Sequence, residues 1–483
     1  MESFVSAALG ELMTRSINFI INKLSKPPAL AMEESLQRTL LRAQAIDEEA
    51  MGRHITNQAM IQQLSMLRDA MHRGSYALDA FRYEPHYGED DSDQVVSGFM
   101  SLSKAPFAKD QYFFSRTAQF REQLQEALDR LGSMIVDLNE LVMFLASYPR
   151  MHCQPYNMHI LLGNCMFGRQ VEAELVIKFL LHTQLHSSEE LEVLPIVGPP
   201  KVGKSTLIAH VCKDERVQDH FSEIVWLNDL DFTDGEHQNQ VSNSNKDKRL
   251  LVVIELSGNL HEDAWNRFYL ASKRSFCSGS KIVLTSSSDR AVKFGTSQAL
   301  TLNHLSHEAY WYFFKTLAFG SIDPEAHPGL AQVAMEIART QNRSIPGACF
   351  ICYLLRNNFN IHFWCKVLRF LRVFVQNHVS KFNKHPYDLL SQNRPIQISR
   401  MATPSEYVVI RRQYQCSSQE EVPKIRAQDV VYGSIKTCGK FEVLLWRSPI
   451  PPYYSYASTY EIQEPRTTSA KRKRSMKDGV TFC

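Results

Sequence analysis

Val193-Leu-Pro-Ile-Val-Gly-Pro-Pro-Lys-Val-Gly-Lys-Ser-Thr206 decides how this chain is read. A short apolar run ends in Gly198, and Gly198–Thr206 fits the pattern G-x-x-x-x-G-K-[ST]. Leu207, Ile208 and Val211 follow at helical spacing, so the pattern sits between a strand and a helix, the context it requires. There the backbone N–H groups from Val202 through Gly203 to Thr206 can converge on phosphates at a helix N-terminus. Lys204 brings a point charge to the terminal phosphates, Ser205 a hydroxyl for Mg²⁺, and Thr206 a second hydroxyl nearby. Pro199 and Pro200 carry no N–H, and Lys201 stands where glycine is common. A lysine forced to positive φ there is strained. The donors that matter most lie downstream, so weakened rather than abolished binding of ADP or ATP is expected.

Working outward, Glu223–Leu227, Leu250–Ile254 and Lys281–Thr285 are further short β-branched runs separated by polar or helical stretches. Such alternation predicts a parallel sheet covered on both faces, an α/β P-loop NTPase core. The third run continues into Glu255-Leu256. Glu255 is either a group that holds Mg²⁺ through water or the polar end of a buried strand. Leu256 cannot act as a base.

Before this core the 3.6-residue period dominates. Phe4 to Leu24, then Leu36, Leu40 and Ala43, then Ile61 through Phe81, then Phe120 through Leu145 predict four amphipathic helices in a small antiparallel bundle. Residues 88–110 read as a long loop, and Thr233–Asp247 as another. Helical spacing returns from 305 to about 382. Beyond Pro386, Val408–Ile410, Asp429–Tyr432 and Phe441–Trp446 read as strands. The basic end, 467–483, reads as a disordered tail.

The 483 residues allow about three domains at ~150 residues each. Hydrophobic residues are 44% and charged residues 22%, which permits a sizeable core and excludes global disorder. A net charge of +3 is too small to favour nucleic acid across the whole surface. No secretory signal is read at Met1-Glu2, and no apolar run is long enough to span a membrane. The 10 cysteines lack regular spacing and read as reduced thiols in a cytoplasmic or nuclear protein. Cys349, Cys352, Cys365 and His362 lack a second pair at zinc spacing and read as core residues.

In this order the segments resemble the NB-ARC domain of plant coiled-coil disease-resistance proteins, with an Rx-type bundle in front. Phe167-Gly168-Arg169 is similar to the motif that opens that domain against the adenine. Pro195–Gly198, His220–Trp226, Lys248–Glu255, Gly279–Thr285 and Leu305–Phe314 are similar to its successive blocks, and Ser344-Ile-Pro-Gly-Ala348 to its Gly-Leu-Pro-Leu-Ala, with Pro346 facing the adenine. Leu67–Ala70 and Leu78–Glu84 resemble the bundle. The likeness covers most of 1–385. It implies a bundle at 1–146, a linker at 147–166, a nucleotide-binding domain at 167–304 and a helical ARC-like subdomain at 305–385. A β-rich segment at 386–466 and the tail at 467–483 follow.

Departures from the family pattern bear on mechanism. Its acidic pair is Glu255-Leu256, its sensor arginine is Ser287, and its acidic bundle patch is reduced to Ser75–Asp79. No Met-His-Asp motif appears, and with only Leu444 and Leu445 after position 400 no leucine-rich repeats are expected: a truncated form. The resemblance therefore implies an ADP- or ATP-binding switch in defence signalling with impaired hydrolysis, at most a weak ATPase. It would act on other proteins through the bundle, another immune receptor among them, and would oligomerise on activation. The alternatives are an active ATPase that remodels partners, or a nuclear nucleic-acid-associated factor with a vestigial nucleotide fold. Lys471–Arg474 reads as a nuclear-import signal, a phosphate-binding patch or a solubilising tail. The Phe4–Leu24 stripe reads as bundle core rather than a membrane-inserting helix.

Overall fold

The computed structural model describes residues 29–83 except 54, 109–149 except 146, 166–182, 190–228, 248–256, 261–401 and, with interruptions, 403–463. The segments expected as a helix at Phe4–Leu24, as loops at 88–110 and 233–247 and as a tail at 467–483 lie outside the described residues, except that 109–110 begin a helix. The chain divides into two compact units, Met1–Leu368 with Pro449–Pro452, and Arg369–Ser448 with Tyr453–Cys483.

In the first unit, α1 (Ala29–Met51), α2 (Gln58–Tyr83) and α3 (Lys109–Asp137) pack through Leu36, Ala43, Leu64, Leu67, Leu124 and Leu131. These residues recur at three- and four-residue spacing, which places them on one stripe of each helix. Asn57 starts α2 by accepting from the backbone N–H of Ala59 and Met60. The expected single helix through Leu145 is two, because the chain turns after Asp137 and α4 (Asn139–Leu145) restarts. Leu138, Leu141 and Leu145 keep the same core on both sides of that turn.

A helix that the sequence reading left inside the core domain, α5 (Gln170–Leu181), leads to β1 (Glu192–Val197). Then come α6 (Lys204–Val211), α7 (Glu215–His220), β2 (Glu223–Asn228), β3 (Leu250–Leu256), α8 (Glu262–Ser275), β4 (Lys281–Ser286) and the two-residue β5 (Leu300–Thr301). The sheet is parallel throughout, in the order β2-β3-β4-β1-β5. Its faces are covered by two separate apolar clusters, one holding Ile196, Val253 and Val283, the other Val197, Ile254 and Leu284. This is why the strands read as continuous apolar runs rather than alternating ones. Lys281, buried at the start of β4, reaches the carbonyl of His182 at 2.6 Å and pairs with Glu192 at 2.6 Å. It also donates to the carbonyl of Phe179, closing the C-terminal turn of α5 onto the sheet.

The helical part follows as α9 (His307–Phe319), α10 (Pro328–Thr340), α11 (Ile345–Asn357) and α12 (Ile361–Phe382), whose residues from Arg369 on belong to the second unit. Ser306 and Ser344 cap α9 and α11 through the N–H groups of Ala309 and Gly347.

The second unit holds α13 (Pro386–Ser391), β6 (Ile396–Ser399), β7 (Tyr407–Gln415), α14 (Ala427–Tyr432), β8 (Lys440–Arg447) and β9 (Ser455–Gln463). Its strands form an antiparallel sheet in the order β6-β7-β9-β8. The strand expected at Asp429–Tyr432 is instead α14. Ala427, Val430 and Val431 are all buried, a spacing that suits one face of a helix and would split across the two faces of a strand.

Candidate functional site

Parallel pairing aligns the carboxyl ends of three strands. Val197 lies opposite Ser286 and Thr301, and Leu256 opposite Ser286. Gly198, Glu255 and Ser287 therefore emerge along one edge of the sheet. Gly198 has φ 154°, and a Cβ there would stand 2.2 Å from the carbonyl oxygen of Leu302. Only glycine lets the loop leave the sheet this close to the neighbouring chain. The N–H of Leu302 donates to the Val197 carbonyl at 2.8 Å and fixes that approach. Gly203 caps α6 with φ 101°, which turns the following amides toward a common point in front of the helix.

Three of the loop's side chains and one from β3 lie against this backbone. Lys204 Nζ donates to the carbonyls of Gly198 at 2.7 Å and Pro199 at 2.9 Å, so its ammonium lies across the mouth of the loop. Burial lowers its pKa to about 8 against the opposing pull of Glu255. Burial raises the Glu255 carboxyl, while a hydrogen bond from Ser205 and the charge of Lys204 pull it back. Ser205 and Glu255, the two expected Mg²⁺ groups, are thus brought together. Thr206 is half-buried in the first turn of α6. Leu256 is 7% exposed and packs among Val197, Ile254 and Leu284. Ser287 follows β4 and carries no charge.

This loop fits a phosphate by its own geometry: it combines a backbone cradle that a side chain at Gly198 would fill, amides at a helix start and an ammonium across the opening. For Mg²⁺ it offers one hydroxyl and one carboxylate.

Met166 adjoins the loop from the other side, and Phe167, Gly168 and Arg169 follow it away from the loop. A Cβ at Gly203 would touch the Met166 methyl at 3.3 Å, and one at Gly168 would touch Leu305 at 3.1 Å. Arg169 is only 5% exposed; it pairs with Glu172 at 2.9 Å and donates to the Asn303 carbonyl. Its role here is to tie α5 to the chain leaving β5. Pro346 stands in the first turn of α11. No contact among the described residues joins it to the phosphate loop; Arg343, three residues earlier, donates to the Leu305 carbonyl at 3.5 Å.

Phe167 itself points into a junction that the sequence reading missed. Its ring stacks with Tyr312 at 6.0 Å and 12°, and lies 5.4 Å from the His72 ring. His72, from α2, also meets Tyr312 at 5.2 Å. These three line a cavity of about 60 Å³ with Asp47, Arg68, Met51 and Met71. About two turns further along α2, Asp79 is 4% exposed and accepts from Trp311 Nε1 at 2.8 Å. It also pairs with Lys315. Arg82 joins Glu33 at 2.5 Å and reaches Glu325. The residue left over from the family's acidic patch, Asp79, is therefore a buried carboxylate that bonds α2 to α9.

Residues 176–231 match the NB-ARC domain family. "Disease resistance protein RGA2" from Solanum bulbocastanum is 27% identical over 198 residues, which is 36% of this chain and 20% of that protein. "Putative disease resistance protein RGA1" from the same plant is 26% identical over 199 residues, with the same shares. The matched segment thus spans about a fifth of the length of these curated relatives. Among solved structures, AMPPCP-bound DnaA from Aquifex aeolicus is 14% identical and covers 43% of this chain and 68% of its own, with a TM-score of 0.30.

Proposed function

We propose that this chain, one of the plant NB-ARC disease-resistance proteins, holds ADP or ATP at Gly198–Thr206 and uses the nucleotide to set whether its helical bundle stays docked. The observation that carries this reading is the position of Met166–Gly168. In that short segment Met166 lies against Gly203 of the phosphate loop, and the next residue, Phe167, packs against His72 of the bundle and Tyr312 of α9. A change at the loop is therefore one residue away from the bundle contact.

When bound, the nucleotide supplies phosphate charge and an adenine ring. The chain's own groups bind and orient it: the amides of Val202–Thr206 and the Lys204 ammonium hold phosphate, and Pro346 would face the base, whereas Phe167 and Arg169 are engaged with His72, Tyr312 and Glu172. Ser205 and Glu255 would hold accompanying Mg²⁺. The position after Glu255 is Leu256, buried in the core, which cannot act as a general base. Loss of such a group costs orders of magnitude in rate, so the nucleotide acts as a state marker rather than fuel. The released bundle would then contact other proteins in defence signalling, in the cytoplasm.

Denaturing the purified protein and identifying released nucleotide by chromatography tests the reading. We expect ADP or ATP in near-equal amount to protein, and phosphate release no faster than in Lys204→Ala. Rapid turnover abolished by Lys204→Ala would instead establish an active ATPase. Absence of binding to either nucleotide would end the switch reading.

A further inference from the structure

The cavity at the bundle junction has walls from both sides of the contact. The bundle supplies Asp47, Arg68 and His72, and the core supplies Phe167 and Tyr312. Its volume of about 60 Å³ accommodates about four waters at ~10–15 Å³ each, or one ligand of a few heavy atoms. Two kinds of surface meet there. Phe167 and Tyr312 lie nearly parallel, 12° apart with centroids at 6.0 Å, and the His72 ring stands 5.4 Å from the first and 5.2 Å from the second. Such flat faces suit a planar group. The polar part is an ion pair that uses one atom of each partner. Arg68 Nε donates to Asp47 Oδ1 at 2.6 Å, and Asp47 is only 5% exposed. Asp47 Oδ2 and the two terminal nitrogens of Arg68 make no hydrogen bond among the described residues. An acceptor and a donor thus stand beside one another at the cavity. In the same wall His72 Nδ1 is buried without a partner. Native structures satisfy such an atom with water or a bound group.

Charge selects the ligand. Asp47 and Arg68 cancel, and burial lowers His72 to about 4, so its ring is neutral at pH 7. An anion in the cavity meets the Asp47 carboxylate, and a cation meets the Arg68 guanidinium, where burial strengthens either repulsion. A neutral group that carries donor and acceptor on one planar frame avoids both. A carboxamide is such a group: its NH₂ donates to Asp47 and its carbonyl accepts from Arg68.

We propose that this cavity binds a small planar carboxamide, held by Asp47 and Arg68 against the faces of Phe167 and Tyr312, and that the ligand clamps the bundle in its docked position. The proposal rests on the docked bundle and is independent of what occupies the phosphate loop. Acetamide is the probe, titrated into the full chain while hydrogen exchange in α2 and the NMR signal of isotope-labelled His72 are followed. A roughly millimolar dissociation constant suits so small a ligand. At about ten times that concentration, exchange in α2 should slow about tenfold, and the His72 signal should shift with the same saturation. Acetate and guanidinium at equal concentration should do neither. Ser75 also lines the cavity. Ser75→Met fills it and should remove both responses to acetamide. An unsaturated response that is equal in wild type and Ser75→Met is a bulk solvent effect and overturns the proposal, as does saturation by acetate or guanidinium instead. Tighter binding of a tripeptide with a central glutamine than of acetamide assigns the cavity to a partner's side chain and overturns the free ligand. These failures leave the nucleotide reading standing, since that is decided by nucleotide release alone. Saturable acetamide binding in a protein that holds no nucleotide has the reverse meaning.

Discussion

The phosphate loop and the bundle junction lie on either side of Phe167 and are built in opposite ways. The loop is made of main chain: contiguous amides, two glycines at positive φ and a carbonyl contact to Leu302, with Lys204 as the main side-chain contributor. The junction is made of side chains drawn from distant sequence. Asp79 meets Trp311 across 232 residues and Lys315 across 236. A main-chain site tolerates changes at its variable positions as long as its path is kept, whereas a side-chain junction depends on each partner.

Four measurements would sharpen or break that contrast. Leu256→Asp has the largest expected effect, because it buries a carboxylate in an apolar cluster. A fully buried acid shifted by about three or more pKa units corresponds to about 4 kcal/mol. The melting temperature should fall by roughly 10 °C or more, with no gain in phosphate release. A variant that folds normally and hydrolyses ATP would show that the sheet edge, too, turns on a single side chain.

Asp79→Ala comes next. It strands the partly buried Lys315 ammonium and the Trp311 N–H, a loss of about 3 kcal/mol or more. Hydrogen exchange in α2 should quicken markedly while nucleotide affinity holds. Unchanged exchange would mean that the junction does not rest on this carboxylate.

The third measurement uses pH. Burial, with Arg68 adding and Glu308 opposing, lowers His72 to about 4 from an ordinary 6.5. The docked form therefore binds fewer protons than the undocked one. Docking is complete above pH 6.5 and weakens progressively as pH falls toward 4, by about 3 kcal/mol at the limit. Asp47, in the same cavity, is raised by burial and works in the opposite direction. Comparison of wild type with His72→Phe isolates the histidine, and α2 exchange in the variant should be flatter with pH. A variant that follows wild type removes His72 from the coupling.

The smallest effect is expected for Trp311→Phe. It removes one hydrogen bond and leaves Asp79 paired with Lys315, for about 1 kcal/mol. Exchange in α2 should rise only a few-fold. A loss equal to that of Asp79→Ala would make the indole, rather than the ion pair, the main bond.

The same contrast explains what was legible in the sequence. The loop could be read because its donors are neighbours in sequence and its glycines are fixed by backbone geometry. The parallel sheet could be read because burial on both faces leaves unbroken apolar runs at Val193–Val197, Leu250–Ile254 and Lys281–Thr285. The helices of the bundle followed from their stripes. Pairing could not be read in the same way. Helical spacing places Tyr310, Phe313, Phe314 and Leu317 on the covered side of α9, but says nothing of which acid receives the Trp311 N–H. His72 gave no signal, since a lone histidine in a helix has many roles. α14 was misread because paired valines suggest a strand, while the buried triplet Ala427, Val430 and Val431 obeys the helical period.

Lys281 has a mechanical consequence. By fastening the end of α5 to β4 and Glu192, it makes that helix part of the same stiff plate as the sheet. A plate clamped along one side cannot bend at its own middle. A swing of α9–α11 relative to the sheet would bend the chain at Asn303–Leu305, where Arg169 and Arg343 hold the main-chain carbonyls.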